Sequence, residues 1–139
     1  MFNITIIGEI KLINNTLNKI IYMYDKSFSE YIKVNHIDPS YNKIGLNVLN
    51  RSDIIFGVPL SSSHIKRFID DYSMMNESNR NKYLLIILSK NHNICEDDQV
   101  LLYNVSMMNP YINYCMHYDY GFILDTIMRY MDIKKRGIL

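Results

Sequence analysis

The sequence lacks alanine and tryptophan altogether and has only two cysteines, Cys95 and Cys115, among its 139 residues. Two cysteines exclude a disulfide scaffold and a four-cysteine zinc site. No uninterrupted apolar run approaches the roughly 18 residues that a membrane-spanning helix needs. The start of the chain lacks the basic segment of a signal peptide, so we expect a reducing, intracellular environment. The missing alanines are typical of an A/T-rich coding sequence, in which motif residues drift.

Neither sign of charge dominates. Fifteen Lys and Arg residues face fourteen Asp and Glu residues, which gives a formal net charge of +1. This balance excludes a general electrostatic field for holding nucleic acid or an anionic membrane. Hydrophobic residues make up 48% of the chain, which is typical of a globular protein. We therefore expect one domain over residues 1–139.

Strand and helix patterns alternate along the chain. Short apolar runs indicate buried strands, and apolar residues at steps of three and four indicate helices. Strands are predicted at 2–8, 31–37, 53–59, 83–88 and 111–117. Helices are predicted at 10–24, 44–50, 65–72, 96–105 and 122–131, with Ser61-Ser62-Ser63 as an N-cap and Pro110 as a stop. The alternation predicts an α/β fold of three layers, a mostly parallel central sheet of about five or six strands with helices on both faces.

Ligands of such folds bind beyond the carboxyl ends of the strands, so the loop after the first strand is the place for a phosphate-binding loop. That loop needs the pattern G-x-x-x-x-G-K-[ST]. The chain keeps Gly8, but Ile13, Asn14 and Asn15 replace the second glycine, the lysine and the hydroxyl residue. Glu9 adds a negative charge that opposes a triphosphate. The sequence therefore predicts no nucleotide and no other cofactor.

The latter half nevertheless resembles a Ras-like small GTPase in layout. Residues 50–58 resemble its central strand, 84–94 the strand before the guanine-reading loop, and 120–125 the start of the last helix. That loop reads Asn-Lys-x-Asp in the family, whereas this chain has Ser89, Lys90, Asn91 and His92. Met116-His117-Tyr118 replaces the Ser-Ala-Lys loop, and the switch region has no Asp-x-x-Gly. The resemblance implies a small-GTPase-like fold with a reduced switch region and no GTPase activity.

Among GTPase-like proteins without a nucleotide site, the chain is similar to the centromere protein M family. The shared features are the Ile6-Ile7-Gly8-Glu9 start, the shortened switch region and the absence of a lipid anchor. Membership implies a non-catalytic scaffold subunit of the inner kinetochore, located in the nucleus, with a cytoplasmic location as the alternative. The implied partners are helical-repeat or coiled-coil proteins, with no nucleotide, membrane or sequence-specific nucleic acid.

Three alternatives stay open. Residues 53–59 also follow the central strand of a phosphoacceptor receiver domain, where the acceptor aspartate would fall near Gly57. Glu9 alone stands where such a domain has an acidic pair, so this receiver-like module would be inactive. A second alternative is a pathogen-encoded decoy of a host signalling domain. The third is a divergent hydrolase or phosphotransferase that uses another pocket.

Two cysteine–histidine combinations are candidates for a metal site and for a catalytic nucleophile. His92, Cys95 and either His117 or Cys115 could supply metal ligands, but only His92 and Cys95 form a short pair. Cys115 and His117 alternate on one strand, which places them on one face but roughly 7 Å apart. That distance is beyond direct hydrogen-bond reach. We therefore predict no metal site and no catalytic residue.

Other polar and methionine clusters favour structural roles. Asp70-Asp71 and Glu96-Asp97-Asp98 fit solvated helix positions, the triplet at a helix start. Lys134-Lys135-Arg136 fits a solubilising helix end. The methionine side chain adapts to irregular surfaces, so the methionine pairs are candidates for a docking surface. Core packing or coding bias is the commoner explanation of such pairs. These interface candidates are Met74, Met75, Met107 and Met108.

Overall fold

A computed structural model describes residues 2–8, 32–37, 46–74, 82–88 and 95–135. The strands are β1 (Phe2–Ile7), β2 (Ile32–Ile37), β3 (Ile54–Gly57), β4 (Tyr83–Leu88) and β5 (Ile112–Met116). The helices are α1 (Leu46–Arg51), α2 (Ser62–Ser73), α3 (Glu96–Met108) and α4 (Tyr120–Lys135). Several predictions fall outside the described residues, namely the helix at 10–24, the phosphate-loop positions Ile13, Asn14 and Asn15, the guanine-loop positions Ser89, Lys90 and His92, and Met75.

The five described strands form one parallel sheet in the order β2-β1-β3-β4-β5. This confirms the predicted parallel sheet with helices around it. The order is that of flavodoxin-like doubly wound folds, a group that includes receiver domains. In this order the chain changes direction between β1 and β3, and ligands of such folds bind beyond the carboxyl ends of these two strands.

Strand β4 shows why the strand predictions succeeded. All six of its residues are buried, because helices cover both faces of the sheet at this strand. Leu84 and Ile86 pack toward one hydrophobic cluster, and Leu85 and Ile87 pack toward the other. An unbroken apolar run therefore encoded a central strand.

The helices form the two outer layers. Helix α2 contributes Ile65, Phe68 and Tyr72 to one cluster, to which α3 adds Leu102. Helix α4 covers the opposite face of the sheet through residues four apart, Ile123, Ile127 and Met131. This spacing places the side chains on one face of each helix, as the sequence pattern predicted. Because α2 and α3 contribute to the same cluster, the two helices lie in the same layer.

A buried carboxylate joins the amino ends of β1 and β3 to helix α4. Asp53 is 4% exposed, and its carboxylate accepts hydrogen bonds from the backbone N–H of Asn3 at 2.7 Å and from Lys134 Nζ at 2.7 Å. Lys82 Nζ lies 3.8 Å from the other carboxylate oxygen. The interpretation of Lys134 as part of a solubilising cap is therefore wrong. Its ammonium pairs with the buried Asp53 and holds the end of α4 against the sheet.

The outer edge of β5 has its backbone donors occupied. β5 is the last of the five described strands, and it pairs with β4. At the two ends of this pairing, the Leu84 N–H donates to the Tyr111 carbonyl and the His117 N–H donates to the Leu88 carbonyl. The N–H groups of Ile112, Tyr114 and Met116 bond locally instead. Their acceptors are the Asn109 carbonyl at 3.2 Å, the Asn113 side-chain oxygen at 2.8 Å and the Asp119 carboxylate at 3.3 Å. These bonds protect an edge that would otherwise pair with another strand.

Candidate interaction surface and the ligand-binding edge

The backbone approaches closely at Gly8, where β1 and β3 end side by side. Gly8 follows β1 with φ at 131°, and its N–H donates to the Ile37 carbonyl at 3.1 Å. The N–H of Val58 donates to the Ile7 carbonyl at 2.8 Å. A Cβ on Gly8 would lie against the carbonyl oxygen of Val58 and 2.8 Å from its Cβ. Gly8 therefore serves close packing between the two strand ends in this structure.

The ring of Phe68 fills the space beside Gly57, the position at which a receiver domain would carry its acceptor aspartate. Gly57 ends β3, and a Cβ there would meet the Phe68 ring of α2 at 2.7 Å. Its neighbours Val58 and Pro59 are buried. No carboxylate fits at Gly57 because the Phe68 ring occupies the space that its side chain would need.

A hydroxyl–carboxylate pair links the first turns of α2 and α3. Ser62 Oγ donates to Asp98 Oδ2 at 2.6 Å, and Cys95 Sγ lies 3.9 Å from the same hydroxyl. Asp98 is buried, so the interpretation of the Glu96-Asp97-Asp98 triplet as fully solvated is wrong at Asp98. Glu96 and Asp97 are exposed as predicted. The pair joins two neighbouring helices of one layer at the carboxyl edge of the sheet.

Cys115 lies in an open cavity of about 430 Å³ beside β5. The cavity is lined by Asn113, Tyr114, Cys115, Met116, Asp119 and Phe122. Burial, with a smaller contribution from the negative charge of Asp119, raises the pKa of the Cys115 thiol to about 12. A thiol that stays protonated is a poor nucleophile. That Cys115 and His117 are not a catalytic pair stays a prediction.

We expect the two thiols to react at very different rates. Cys95 is exposed and Cys115 is buried with a raised pKa, so iodoacetamide at roughly pH 8 should alkylate Cys95 first. Mass spectrometry of the native protein should show one adduct per chain, and unfolding in urea should add the second. Native alkylation of Cys115 as fast as that of Cys95 would contradict the buried position of this thiol.

Two of the three described histidines, His64 and His117, have structural contacts. His64 Nδ1 accepts a hydrogen bond from the Leu60 N–H at 3.1 Å, and the His117 N–H donates to the Leu88 carbonyl at 2.8 Å. The His117 ring meets Tyr118 edge-on, with ring centroids 5.3 Å apart. Within the described ranges, no three side chains of His, Cys, Asp or Glu converge as metal ligands. Of the proposed metal ligands, His92 lies outside those ranges.

Three of the four methionine interface candidates are exposed. Met74 follows α2, whereas Met107 and Met108 end α3 and are 70% and 86% exposed. Core packing is therefore the wrong explanation for these three residues. Because α2 and α3 cross back along parallel strands, both helices end toward the amino edge of the sheet.

The outer face of α3 is apolar as well as its inner face. Val100, Tyr103 and Met107 are 53%, 57% and 70% exposed. Their spacing of three and four places them in one row along the helix. We name these three residues the α3 stripe. The sequence pattern predicted only a core face for this helix. The exposed positions of Val100 and Tyr103 were not predicted, although the same spacing of three and four could have identified them.

Neither a protein-family model nor a curated protein matches this chain. Within the described residues, no helix is long and apolar enough to cross a membrane.

Proposed function

We propose that this chain is a non-catalytic protein-interaction module that binds its partner through the α3 stripe. The observation that carries the proposal is the exposure of Val100, Tyr103 and Met107 in one row of a helix whose opposite side packs on the sheet. Contiguous apolar surface of this kind marks binding sites for other proteins. Aromatic residues and methionine are also enriched at such interfaces.

The packing at the carboxyl edge supports a non-catalytic role. Gly8 packs against Val58 between β1 and β3, and Phe68 fills the space beside Gly57. These contacts lie at the edge of the sheet beyond which doubly wound proteins bind small ligands, and the sequence after β1 lacks the lysine and the hydroxyl residue of a phosphate-binding loop. Calorimetry with GTP or ATP and magnesium should therefore show no binding. Micromolar affinity for either nucleotide would contradict the proposal.

The resemblance to centromere protein M gives this proposal a specific form, a structural subunit of the inner kinetochore in the nucleus. A second candidate is an inactive receiver-like signalling module. The strand order β2-β1-β3-β4-β5 favours this second candidate, because receiver domains share it. The two candidates differ in partners, so identification of the partners separates them.

Affinity purification from the native source tests the α3 stripe directly. The stripe variant Tyr103→Ser/Met107→Ser should lose its partners by about tenfold or more relative to wild type. Met74→Ser removes another exposed methionine, at the end of α2, and should recover the wild-type set. Both variants should fold, since substitutions at exposed positions change stability by about 0.5 kcal/mol or less; circular dichroism checks this.

Each outcome of the purification has a defined meaning. A partner set that the stripe variant retains in full would contradict the proposed binding surface. A stripe-dependent set that contains inner-kinetochore subunits supports the kinetochore assignment. A stripe-dependent set with none of them refutes that assignment and leaves the interaction module in place.

A further inference from the structure

We infer that the α3 stripe binds an amphipathic helix of a partner protein, with lysine or arginine residues flanking the apolar face of that helix. This inference rests on the proposed function and adds the chemistry of the partner. It follows from the shape of the stripe, the occupied donors of β5 and the distribution of charge around α3.

The shape of the stripe suits a helix. Val100, Tyr103 and Met107 span about 10 Å along α3, and Glu96 extends the same row by one turn. A narrow apolar row on a convex helix packs well against a second helix laid along it. The alternative of strand addition at neighbouring β5 is disfavoured, because the N–H groups of Tyr114 and Met116 are already bonded to side chains.

Helix α3 itself carries exposed acidic residues and no basic residue. No lysine or arginine occurs between Lys90 and Arg129, a segment that includes α3 and β5. Glu96 heads the row of the stripe, Asp97 lies beside it, and both are exposed. The last turn of α3 contains no basic residue, so no cation of this helix offsets the negative end of its dipole near Met107. Basic residues of a partner would be attracted to both ends of the stripe.

A second copy of this chain is a poor occupant for the same reason. Two α3 helices face to face would bring together the exposed Glu96 and Asp97 of both copies, and α3 has no basic residue to offset them; the exposed Lys66 belongs to the neighbouring helix α2. Arg129 and Lys134 belong to α4, whose core residues pack on the other face of the sheet. Like charges brought together at an interface weaken association, so the stripe favours a different protein as partner.

Two synthetic peptides of about 18 residues test the charge of the partner. Both carry leucines at the spacing of an amphipathic helix face; one has lysines and the other glutamates at the flanking positions. Fluorescence anisotropy with the full chain, at about 0.1 M salt, should show at least about tenfold tighter binding of the basic peptide. Glu96→Lys/Asp97→Lys should abolish or invert this preference. The matched control Asp70→Lys/Asp125→Lys changes net charge equally on α2 and α4 and should leave the preference unchanged.

The outcomes separate this inference from the proposed function. Equal binding of the two peptides, or a preference that survives charge reversal at Glu96 and Asp97, overturns the basic-helix inference. Unchanged basic-peptide binding by Tyr103→Ser/Met107→Ser also overturns it. If the wild-type chain is a dimer in analytical ultracentrifugation and the Tyr103→Ser/Met107→Ser variant is a monomer, the occupant of the stripe is a second copy. This result also overturns the basic-helix inference. The proposed function fails separately, if the stripe variant keeps all partners in the purification.

Discussion

Replacing Gly8 by alanine is expected to lower the free energy of unfolding by about 2 to 4 kcal/mol. Gly8 has φ at 131°, a conformation that side chains with a Cβ rarely adopt. The new methyl group would also press on the Val58 carbonyl, which belongs to the backbone and cannot rotate away. Relief requires β1 and β3 to separate at their carboxyl ends. Urea unfolding followed by circular dichroism measures the loss.

Gly121→Ala is the matched control for this prediction. Gly121 lies in α4, and a Cβ there would meet nothing within 4 Å. Alanine is the better helix former, so this variant should be neutral or more stable by up to about 1 kcal/mol. Equal stability changes at Gly8 and Gly121 would contradict the close approach of Gly8 to Val58.

Replacing Asp53 by alanine is expected to lower the free energy of unfolding by about 3 kcal/mol. The change removes the acceptor of the Asn3 N–H and the anion that pairs with Lys134. Lys82 also loses its carboxylate neighbour. The side chains of Lys134 and Lys82 keep 27% and 20% exposure, so water can partly solvate their ammonium groups. This solvation places the effect at the lower end of the range for broken buried pairs.

The Asp53 prediction has a graded control. Lys134→Met keeps the aliphatic packing but removes the charge, and Asp53 then retains the Asn3 N–H and Lys82. We expect a loss of about 1 to 2 kcal/mol for this variant. The double variant should cost less than the sum of the two single variants, since both remove the same ion pair. Full additivity, or a loss below about 1 kcal/mol for Asp53→Ala, would contradict the pairing.

The strands were predictable because burial on both faces leaves a simple signal. Tyr83–Leu88 contains six successive apolar residues, and the structure confirms it as a fully buried strand. The end of α3 before Pro110 also follows from local chemistry, because proline acts within one turn, and α2 begins after Ser61 as predicted although the Ser61 side chain makes no capping hydrogen bond. The alternation of elements then implied a parallel sheet. The alternation does not determine strand order, because helix-covered strands can be added on either side of β1.

The missed contacts join residues that are far apart in sequence. Lys134 pairs with Asp53 across 81 positions, and Ser62 bonds Asp98 across 36. A basic helix end and an acidic first turn look solvated when each segment is read alone. Burial of Asp53 and Asp98 depends on which element packs beside them, and that information appears only in the folded chain. The exposure of Met107 likewise depends on how α3 is rotated against the sheet.

The occupied edge of β5 has a consequence for how the protein behaves at high local concentration. Chains crowded into a large assembly are prone to join sheets edge to edge, which produces continuous fibres of unlimited length. Asn113 and Asp119 hold the Tyr114 and Met116 donors that such growth would use on this side. Contacts through a helix face, in contrast, saturate after one partner. The chain can therefore be packed densely beside its neighbours without sheet growth at β5, and the proposed contact through α3 would keep a fixed stoichiometry.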